Sequence, residues 1–331
     1  MFLAILVIII ITICVLLLIF FSNVLKAHVL IKKSILVFSF LTLCVSCIAL
    51  YYHMKSSDYQ FELPTFEQFN LANVFHFDEK KTSYSVYHQG NYLEGFSTFE
   101  EAVNWASQKE GRQVHYDTIG SLVWEDIKQK PQTVMLDVPL ISQLPELPRG
   151  CEVTSLAMLL TYAGHEVDKM VLAEEVVKDE TPYEVKNGET HFGNPYRGFV
   201  GDMYNRNNPG YGVYHEPIAL LAEQYKPSQV VDMTGAEFDQ ILYPLLKGRP
   251  IWIITNTRYS KLPDSAFQTW QTPDGPIDIT YHEHSVVITG YDQDYIYFND
   301  PLQPKKNRKA KIDPFKEAWI QMGRQAITYT N

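Results

Sequence analysis

Two long uncharged segments at the N-terminus constrain the fold of this chain more than any other feature. Residues 2–21 form a run of 20 residues without a charge, and residues 34–52 form a further run of 19. Each run is long enough to cross a hydrocarbon core of about 30 Å as an α-helix. No Lys or Arg precedes the first run and no small-residue cleavage site follows it, so a cleaved signal peptide is disfavoured. We predict a two-helix transmembrane anchor over residues 1–55, the alternative being two buried core helices.

The lysines around these runs predict the orientation of the anchor. Lys26, Lys32 and Lys33 lie in the turn between the two runs, whereas Lys55 alone follows the second. Because positively charged turns remain on the cytoplasmic side, the sequence predicts a cell-membrane protein whose large C-terminal part faces outward. The lipid bilayer is therefore an expected partner.

The charge of the remaining chain argues against nucleic acid as a partner. The whole sequence carries a net charge of −10, and residues 59–331 hold 24 basic and 37 acidic residues, a balance of −13. An acidic domain is repelled by phosphate backbones and by anionic lipid headgroups. We therefore expect neither nucleic acid nor an anionic lipid surface as a partner of this part of the chain.

Composition and periodicity divide the rest of the chain into three parts. Residues 56–82 lack a clear period and are interpreted as a juxtamembrane stalk. Residues 83–130 combine alternating strand patterns with one capped helical segment, which predicts a small αβ module. Residues 133–331 place helical patterns first and strand patterns last, which is typical of an α+β domain. Within it, the long segment His191–Tyr214 is rich in Gly, Asn and aromatic residues and is expected to line or cover a site.

One cysteine lies outside the N-terminal runs, and it stands where a helix begins. A loop rich in Pro and Gly delivers Cys151 to an apolar helical pattern that ends near Gly164. Unpaired N–H groups and the helix dipole favour a thiolate at such a position, so we expect a lowered thiol pKa. Helical geometry turns the next residue, Glu152, about 100° away, and we expect it to cap the helix.

Polar residues at suitable spacing complete a pattern for cysteine catalysis. His284 lies 133 residues after Cys151 and opens an apolar strand, and Asp300 follows 16 residues later, so strand, turn and strand can return it beside the imidazole. His282 is the alternative base and Asn299 the alternative orienting residue. Gln143, eight residues before the thiol, can offer an amide to an oxyanion.

The combination resembles the peptidase C39-like family. The resemblance is carried by Gln143, by Gly150-Cys151-Glu152, by His284-Ser285-Val286-Val287 and by Asn299-Asp300-Pro301, and it covers roughly residues 134–328. It implies a papain-like cysteine peptidase fold, with a catalytic helix packed on an antiparallel sheet. It also implies Cys151 as nucleophile, His284 as base, Asp300 as the residue that orients the base and Gln143 as oxyanion donor.

We therefore expect a membrane-anchored cysteine hydrolase that cleaves peptide or other amide bonds through a thioester. Two alternatives remain open: a transpeptidase that passes the acyl group to an amine, and an inactive module that binds cell-surface peptides. The chemistry requires no cofactor. A metal site built from Cys151, His282, His284 and a carboxylate is disfavoured because these residues do not form a Cys-x-x-Cys or a His-Glu-x-x-His spacing. The sequence does not indicate an oligomeric state.

Overall fold

The computed structural model describes residues 82–303 and 305–330, which fall within one compact unit spanning Asp78–Asn331. The predicted transmembrane anchor and almost all of the predicted stalk lie outside the described residues. Within the described ranges, no helix has the length and hydropathy needed to cross a membrane.

The N-terminal part of the described chain is a four-stranded antiparallel sheet with one helix. Its elements are β1 (Tyr84–His88), β2 (Asn91–Phe96), α1 (Phe99–Ala106), β3 (Arg112–Tyr116) and β4 (Ser121–Glu125), and the strand order is β2-β1-β3-β4. The Thr98 hydroxyl accepts a hydrogen bond from the Glu101 N–H at 3.2 Å and caps α1. The sheet and helix confirm the αβ character that the sequence predicted for this segment.

The middle of the chain carries the helix that begins at Cys151, together with short strands and further helices. These elements are β5 (Val134–Met135), α2 (Cys151–Tyr162), α3 (Lys169–Glu175), β6 (Lys178–Asp179), β7 (Glu184–Lys186), β8 (Glu189–His191), β9 (Phe199–Val200), α4 (His215–Tyr225), β10 (Val230–Asp232), α5 (Phe238–Ile241) and α6 (Tyr243–Leu246).

The C-terminal part supplies most of the main sheet. Its elements are β11 (Ile251–Asn256), a 3-10 turn (Asp264–Ala266), β12 (Gln268–Thr272), β13 (Gly275–Ile279), β14 (Glu283–Tyr291), β15 (Tyr295–Asn299), β16 (Arg308–Lys311), α7 (Ile312–Gln321) and β17 (Ala326–Tyr329).

The main sheet is antiparallel and holds the strand that carries His284 near its centre. Its strand order is β10-β17-β11-β14-β15-β16, with β5 pairing to the far end of β14. A second sheet, in the order β13-β12-β8-β7, includes one parallel pair, and β6 pairs with β9. The α+β class predicted from the sequence is confirmed.

Helix α2 is buried on nearly all sides, which explains its apolar sequence. Residues 151–160 are all buried, and Met158 packs with Val287 of β14 and Val138. Its other faces pack on the cluster that includes Leu172 of α3 and Ile218 of α4. A helix enclosed between a sheet and two helices holds its first residue in a fixed place relative to β14.

The N-terminal sheet shares a hydrophobic core with the main domain. Val86 and Phe99, both almost completely buried, belong to the same cluster as Phe238, Ile253 and Phe315. Residues 83–130 therefore pack against the main domain through one shared hydrophobic cluster.

Strand β5 is only two residues long. Only Val134 and Met135 pair with β14 as a strand, although the Leu136 N–H still donates to the Thr289 carbonyl at 2.8 Å. Beyond that point the carbonyls of Val138 and Pro139 accept hydrogen bonds from the Asn299 amide. Side-chain hydrogen bonding thus replaces strand pairing where the chain leaves the sheet.

Candidate active site

Cys151 is the first residue of α2 and is delivered by a tight turn. The Gly150 N–H donates to the Leu147 carbonyl at 3.0 Å, and a Cβ added at Gly150 would lie 2.6 Å from the Leu147 Cβ. Only glycine therefore fits at the position before the thiol. The cysteine itself is 6% exposed.

The thiol faces two carboxyl groups. Cys151 Sγ donates to Glu152 Oε2 at 3.2 Å, and Glu283 Oε2 lies 4.0 Å from the sulfur. The other oxygen of Glu152 accepts the Val213 N–H at 2.7 Å. The expectation that Glu152 points away from the thiol and only caps the helix is therefore wrong. Its carboxyl folds back onto the sulfur because the backbone of the 191–214 loop holds it there.

This environment raises the pKa of the thiol instead of lowering it. Burial is the largest cause, followed by the charges of Glu152 and Glu283, while the Ser285 backbone acts in the opposite direction. The predicted thiolate at the helix N-terminus is thus wrong for this conformation. Desolvation and two adjacent carboxyls outweigh the helix dipole.

The two carboxyl groups themselves are held in an environment that favours their neutral forms. Burial raises the pKa of Glu152 to about 7. Burial, and then the charge of Glu152, raise the pKa of Glu283 well above its ordinary value. Gly212 lines this pair: a Cβ there would lie 2.2 Å from Glu152 Oε1 and 3.1 Å from Glu283 Oε2. The absence of a side chain at Gly212 makes room for both carboxyls.

His284 and Asp300 form a buried pair. His284 Nε2 and Asp300 Oδ1 are 2.8 Å apart, and each side chain is only 2% exposed. Asp300 also accepts the Tyr259 hydroxyl at 2.6 Å, the Leu302 N–H at 2.9 Å and a hydrogen bond from the Arg308 guanidinium. Burial alone would raise the pKa of Asp300, but the hydrogen bond and charge of His284 and the other donors hold that pKa below its ordinary value.

The two alternatives left open by the sequence make other contacts. His282 Nδ1 lies 3.3 Å from the Thr257 hydroxyl. The Asn299 amide donates to the Val138 and Pro139 carbonyls, and its oxygen accepts the Asn307 N–H at 2.9 Å. Asn299 therefore fastens the chain around the site, while Asp300 contacts the imidazole.

Strand β14 runs beside the first turns of α2. Glu283 Oε2, from the residue before His284, lies 4.0 Å from the Cys151 sulfur, and the Ser155 hydroxyl donates to the Ser285 carbonyl at 3.1 Å. Because the Asp300 carboxylate can only accept, Nε2 of His284 carries the proton of that bond and Nδ1 is free of a proton in the neutral ring. Nδ1 is thus the atom that can take a proton from a thiol.

The Gln143 side chain forms hydrogen bonds within the loop that precedes Cys151. Its amide nitrogen donates to the Leu147 carbonyl at 3.0 Å and to the Pro148 carbonyl at 3.2 Å, and its backbone N–H donates to the Pro301 carbonyl at 3.0 Å. Its Oε1 is buried without a hydrogen-bond partner among the described residues. These contacts fasten the cysteine loop to the segment that carries Asp300, and the oxyanion role of Gln143 stays a prediction.

Arg149 fastens a second loop to the cysteine loop. Its guanidinium donates to four backbone carbonyls of one loop, those of Asp202, Asn205, Arg206 and Asn208, at 2.8–3.1 Å. The same 191–214 segment supplies the Val213 N–H to Glu152. The prediction that this segment lines a site is consistent with these contacts.

Several residues at the site were not identified from the sequence. Tyr259 and Arg308 both contact Asp300, and the Arg308 guanidinium also lies over the Tyr259 ring. Glu283 was not identified either. A charged residue directly before His284 is the sequence signal that could have identified Glu283. The local sequence around Tyr259 and Arg308 contains no such signal, because these residues contact Asp300 only in the folded chain.

The fold and the site place this protein in the class of α+β proteins that carry a cysteine at the start of a helix and a buried His–Asp pair at an antiparallel sheet. Residues 135–327 match the model of the Peptidase_C39 like family, and the chain belongs to this family.

Two similar proteins support the assignment. The chain is 48% identical over 194 residues to YvpB of Bacillus subtilis (strain 168), named as an uncharacterized protein, and the match covers 58% of this chain and 74% of YvpB. It is also similar to a solved structure described as a candidate C39-like peptidase from Bacillus anthracis, with 46% identity and a TM-score of 0.57. That match covers 61% of this chain and 98% of the other.

Proposed function

We propose that this protein is a cysteine hydrolase that cleaves peptide or other amide bonds. Membership of the C39-like peptidase family supports this function. The observation that carries it is the buried His284–Asp300 pair, 2.8 Å apart, in which His284 directly follows Glu283, whose Oε2 lies 4.0 Å from the Cys151 sulfur. A thiol, an imidazole and a carboxylate that orients the imidazole are the groups that thioester chemistry needs.

In the first step the Cys151 sulfur attacks the carbonyl carbon of the substrate. The thiol turns from Glu152 toward His284, and Nδ1 accepts the thiol proton as the carbon–sulfur bond forms. Asp300 stabilises the resulting imidazolium, because it remains ionised among its hydrogen-bond donors. Collapse of the tetrahedral intermediate breaks the carbon–nitrogen bond, and the imidazolium gives its proton to the leaving amine.

In the second step water hydrolyses the thioester. His284 takes a proton from the water, the hydroxide adds to the acyl carbon, and the thiol leaves with the proton restored. Cys151 is the first residue of α2, so its backbone N–H has no acceptor within the helix and can donate to the oxyanion. Gln143 is the second proposed donor, and it would release one of its two loop carbonyls to act.

The location of the protein is part of the proposal. We propose that residues 1–55 anchor the chain in the cell membrane with the enzyme facing outward. The two uncharged runs and the lysines between them support this arrangement. Labelling of intact cells with a membrane-impermeant, amine-reactive reagent tests this arrangement. We expect the lysines of the C-terminal part to react, whereas the lysines of an inward-facing domain would be protected.

Digestion of a peptide mixture tests the activity. The full-length protein and its Cys151→Ala variant are incubated with the same mixture, and new termini are identified by mass spectrometry. We expect new carboxyl termini only with the wild type. A parallel sample with hydroxylamine should convert part of the product to hydroxamate, because the thioester is intercepted. Identical product patterns with both proteins would contradict the proposal, and products joined to an added amine in place of free acids would indicate a transferase.

A further inference from the structure

Three potential metal ligands converge at the first turn of α2. Cys151 Sγ and carboxylate oxygens of Glu152 and Glu283 all lie within 4.8 Å of one another, with 3.2 Å and 4.0 Å between the sulfur and the two carboxylates. Ligands of a tetrahedral zinc ion, bound at about 2.3 Å for sulfur and about 2.0 Å for oxygen, lie roughly 3.3–3.5 Å apart. Small adjustments of three side chains would therefore close this group around one ion.

An unpartnered carboxylate oxygen provides a second, independent indication. Glu283 Oε1 is buried and has no hydrogen-bond partner among the described residues, and the side chain as a whole is about nine-tenths buried. A buried polar atom without a partner is costly, so such an atom beside two other potential ligands indicates a missing group. Oε2 of the same carboxyl is the oxygen 4.0 Å from the sulfur, so the carboxyl is directed into the cluster.

The surroundings hold the second carboxylate in place for an ion. Glu152 Oε1 accepts the Val213 N–H at 2.7 Å, which leaves Oε2 toward the sulfur. Hydrogen bonds of this kind orient the ligands of metal sites. Gly212 allows both carboxyls to lie close to the backbone, because a Cβ at this position would collide with Glu152 and crowd Glu283.

We propose that Cys151, Glu152 and Glu283 bind a thiophilic divalent cation such as Zn²⁺, with a water at the fourth position. A thiolate with two carboxylates suits Zn²⁺ or Cd²⁺ and not Mg²⁺ or Ca²⁺, which select oxygen ligands alone. Binding releases the thiol proton and any proton held by the carboxyls, and no oxidation is involved. If the proposed function holds, the ion occupies the nucleophile and inhibits hydrolysis reversibly; the binding itself does not depend on that function.

Cadmium titration tests the site directly, because Cd²⁺ bound to a thiolate gives a charge-transfer band in the ultraviolet. The tag-free, full-length protein is freed of metal with a chelator and titrated with Cd²⁺, and Zn²⁺ binding is followed by calorimetry. Cys14, Cys44 and Cys47 are replaced by Ser in every protein tested, so that the band reports Cys151 alone. We expect one ion per chain with a band that disappears in Cys151→Ala. Affinity should fall at least about tenfold in Glu283→Gln and in Glu152→Gln. Glu174→Gln, which changes an exposed glutamate, should bind like the wild type.

The His284→Ala variant separates this site from a Cys–His site. We expect His284→Ala to retain the band and the affinity, even though it loses hydrolysis. Loss of binding in His284→Ala with full binding in both glutamine variants would overturn the proposal, as would a wild type without the band. Thermal unfolding in the presence of chelator confirms that each variant is folded. Because binding is read without any substrate, failure of the hydrolase proposal cannot be confused with failure of this one.

Discussion

The Cys151 sulfur lies 3.2 Å from Glu152 Oε2 and directs its proton to that carboxyl. Two neighbours in sequence thereby form a contact that helical geometry alone would not produce. Burial first, and then the charge of Glu152, favour the neutral form of the thiol, while His284 of β14 is hydrogen-bonded to Asp300. In the mechanism we propose, the thiol is activated only when it turns toward the imidazole.

Replacing Glu152 should make the thiol more reactive. In Glu152→Gln the negative charge beside the sulfur is absent, so the pKa of Cys151 falls and more thiolate is present at a given pH. Glu152 is mostly ionised at about pH 8, because its own pKa is about 7. We expect alkylation by iodoacetamide at this pH to accelerate on the order of tenfold, as measured by intact mass. Glu174→Gln is the control, and equal rates in Glu152→Gln and the wild type would contradict the electrostatic explanation.

The buried carboxyl should also make the fold less stable as pH rises. Burial raises the pKa of Glu152 from an unfolded value of about 4.3 to about 7, so the folded state binds more protons between these values. Stability is then lost as pH rises through this window and is constant above it. From about pH 5 to pH 8, the unfolding free energy of the wild type should fall by about 2–3 kcal/mol more than that of Glu152→Gln.

Denaturant unfolding at several pH values measures this difference. Glu283 contributes in the same direction, and because the charge of Glu152 adds to its raised pKa, the difference between the two proteins reports the Glu152–Glu283 pair. Asp300 has a lowered pKa and acts with the opposite sign, but only at more acidic pH, as the carboxylate becomes protonated. Parallel pH profiles for the two proteins would show that Glu152 ionises normally.

The N-terminal sheet should unfold together with the main domain. Phe99 of α1 is 1% exposed and belongs to the core cluster that includes Phe238 and Phe315. We expect Phe99→Ala to lower the unfolding free energy by about 3–5 kcal/mol in one cooperative transition, measured by urea denaturation. Tyr92→Ala, at a side chain that is 53% exposed, should cost less than about 1 kcal/mol. Two separate transitions, with only one shifted by Phe99→Ala, would indicate an independent module.

The elements that position the site could be predicted because each has a local signal. The helix at Cys151 follows a glycine and an apolar period, and the strand at His284 follows a Val-Val-Ile run. The order of Cys, His and Asp along the chain then identified the family. The capped helix α1 could be predicted in the same way, from Thr98 and the acidic residues of its first turn.

What could not be predicted depends on contacts between distant segments. The Val213 N–H turns Glu152 onto the thiol, and no spacing rule connects residues 61 positions apart. The raised thiol pKa follows from burial. A sequence indicates the buried face of a helix only through the spacing of its apolar residues. Because α2 is buried on nearly all sides, this spacing does not single out the face that carries Cys151. Tyr259 likewise reaches Asp300 from 41 positions away in the sequence. The predicted membrane anchor stays a prediction.

Labelling by peptidyl chloromethyl ketones is the most direct test of the central claim, that His284 and Asp300 activate Cys151 as a nucleophile. A panel of these reagents with different side chains is applied to the full-length wild type, His284→Ala and Asp300→Asn, and the rate and site of labelling are read by mass spectrometry. We predict labelling at Cys151 that slows about 100-fold or more in His284→Ala, since general-base assistance is lost, and less strongly in Asp300→Asn. Labelling of His284→Ala at the wild-type rate would contradict the account.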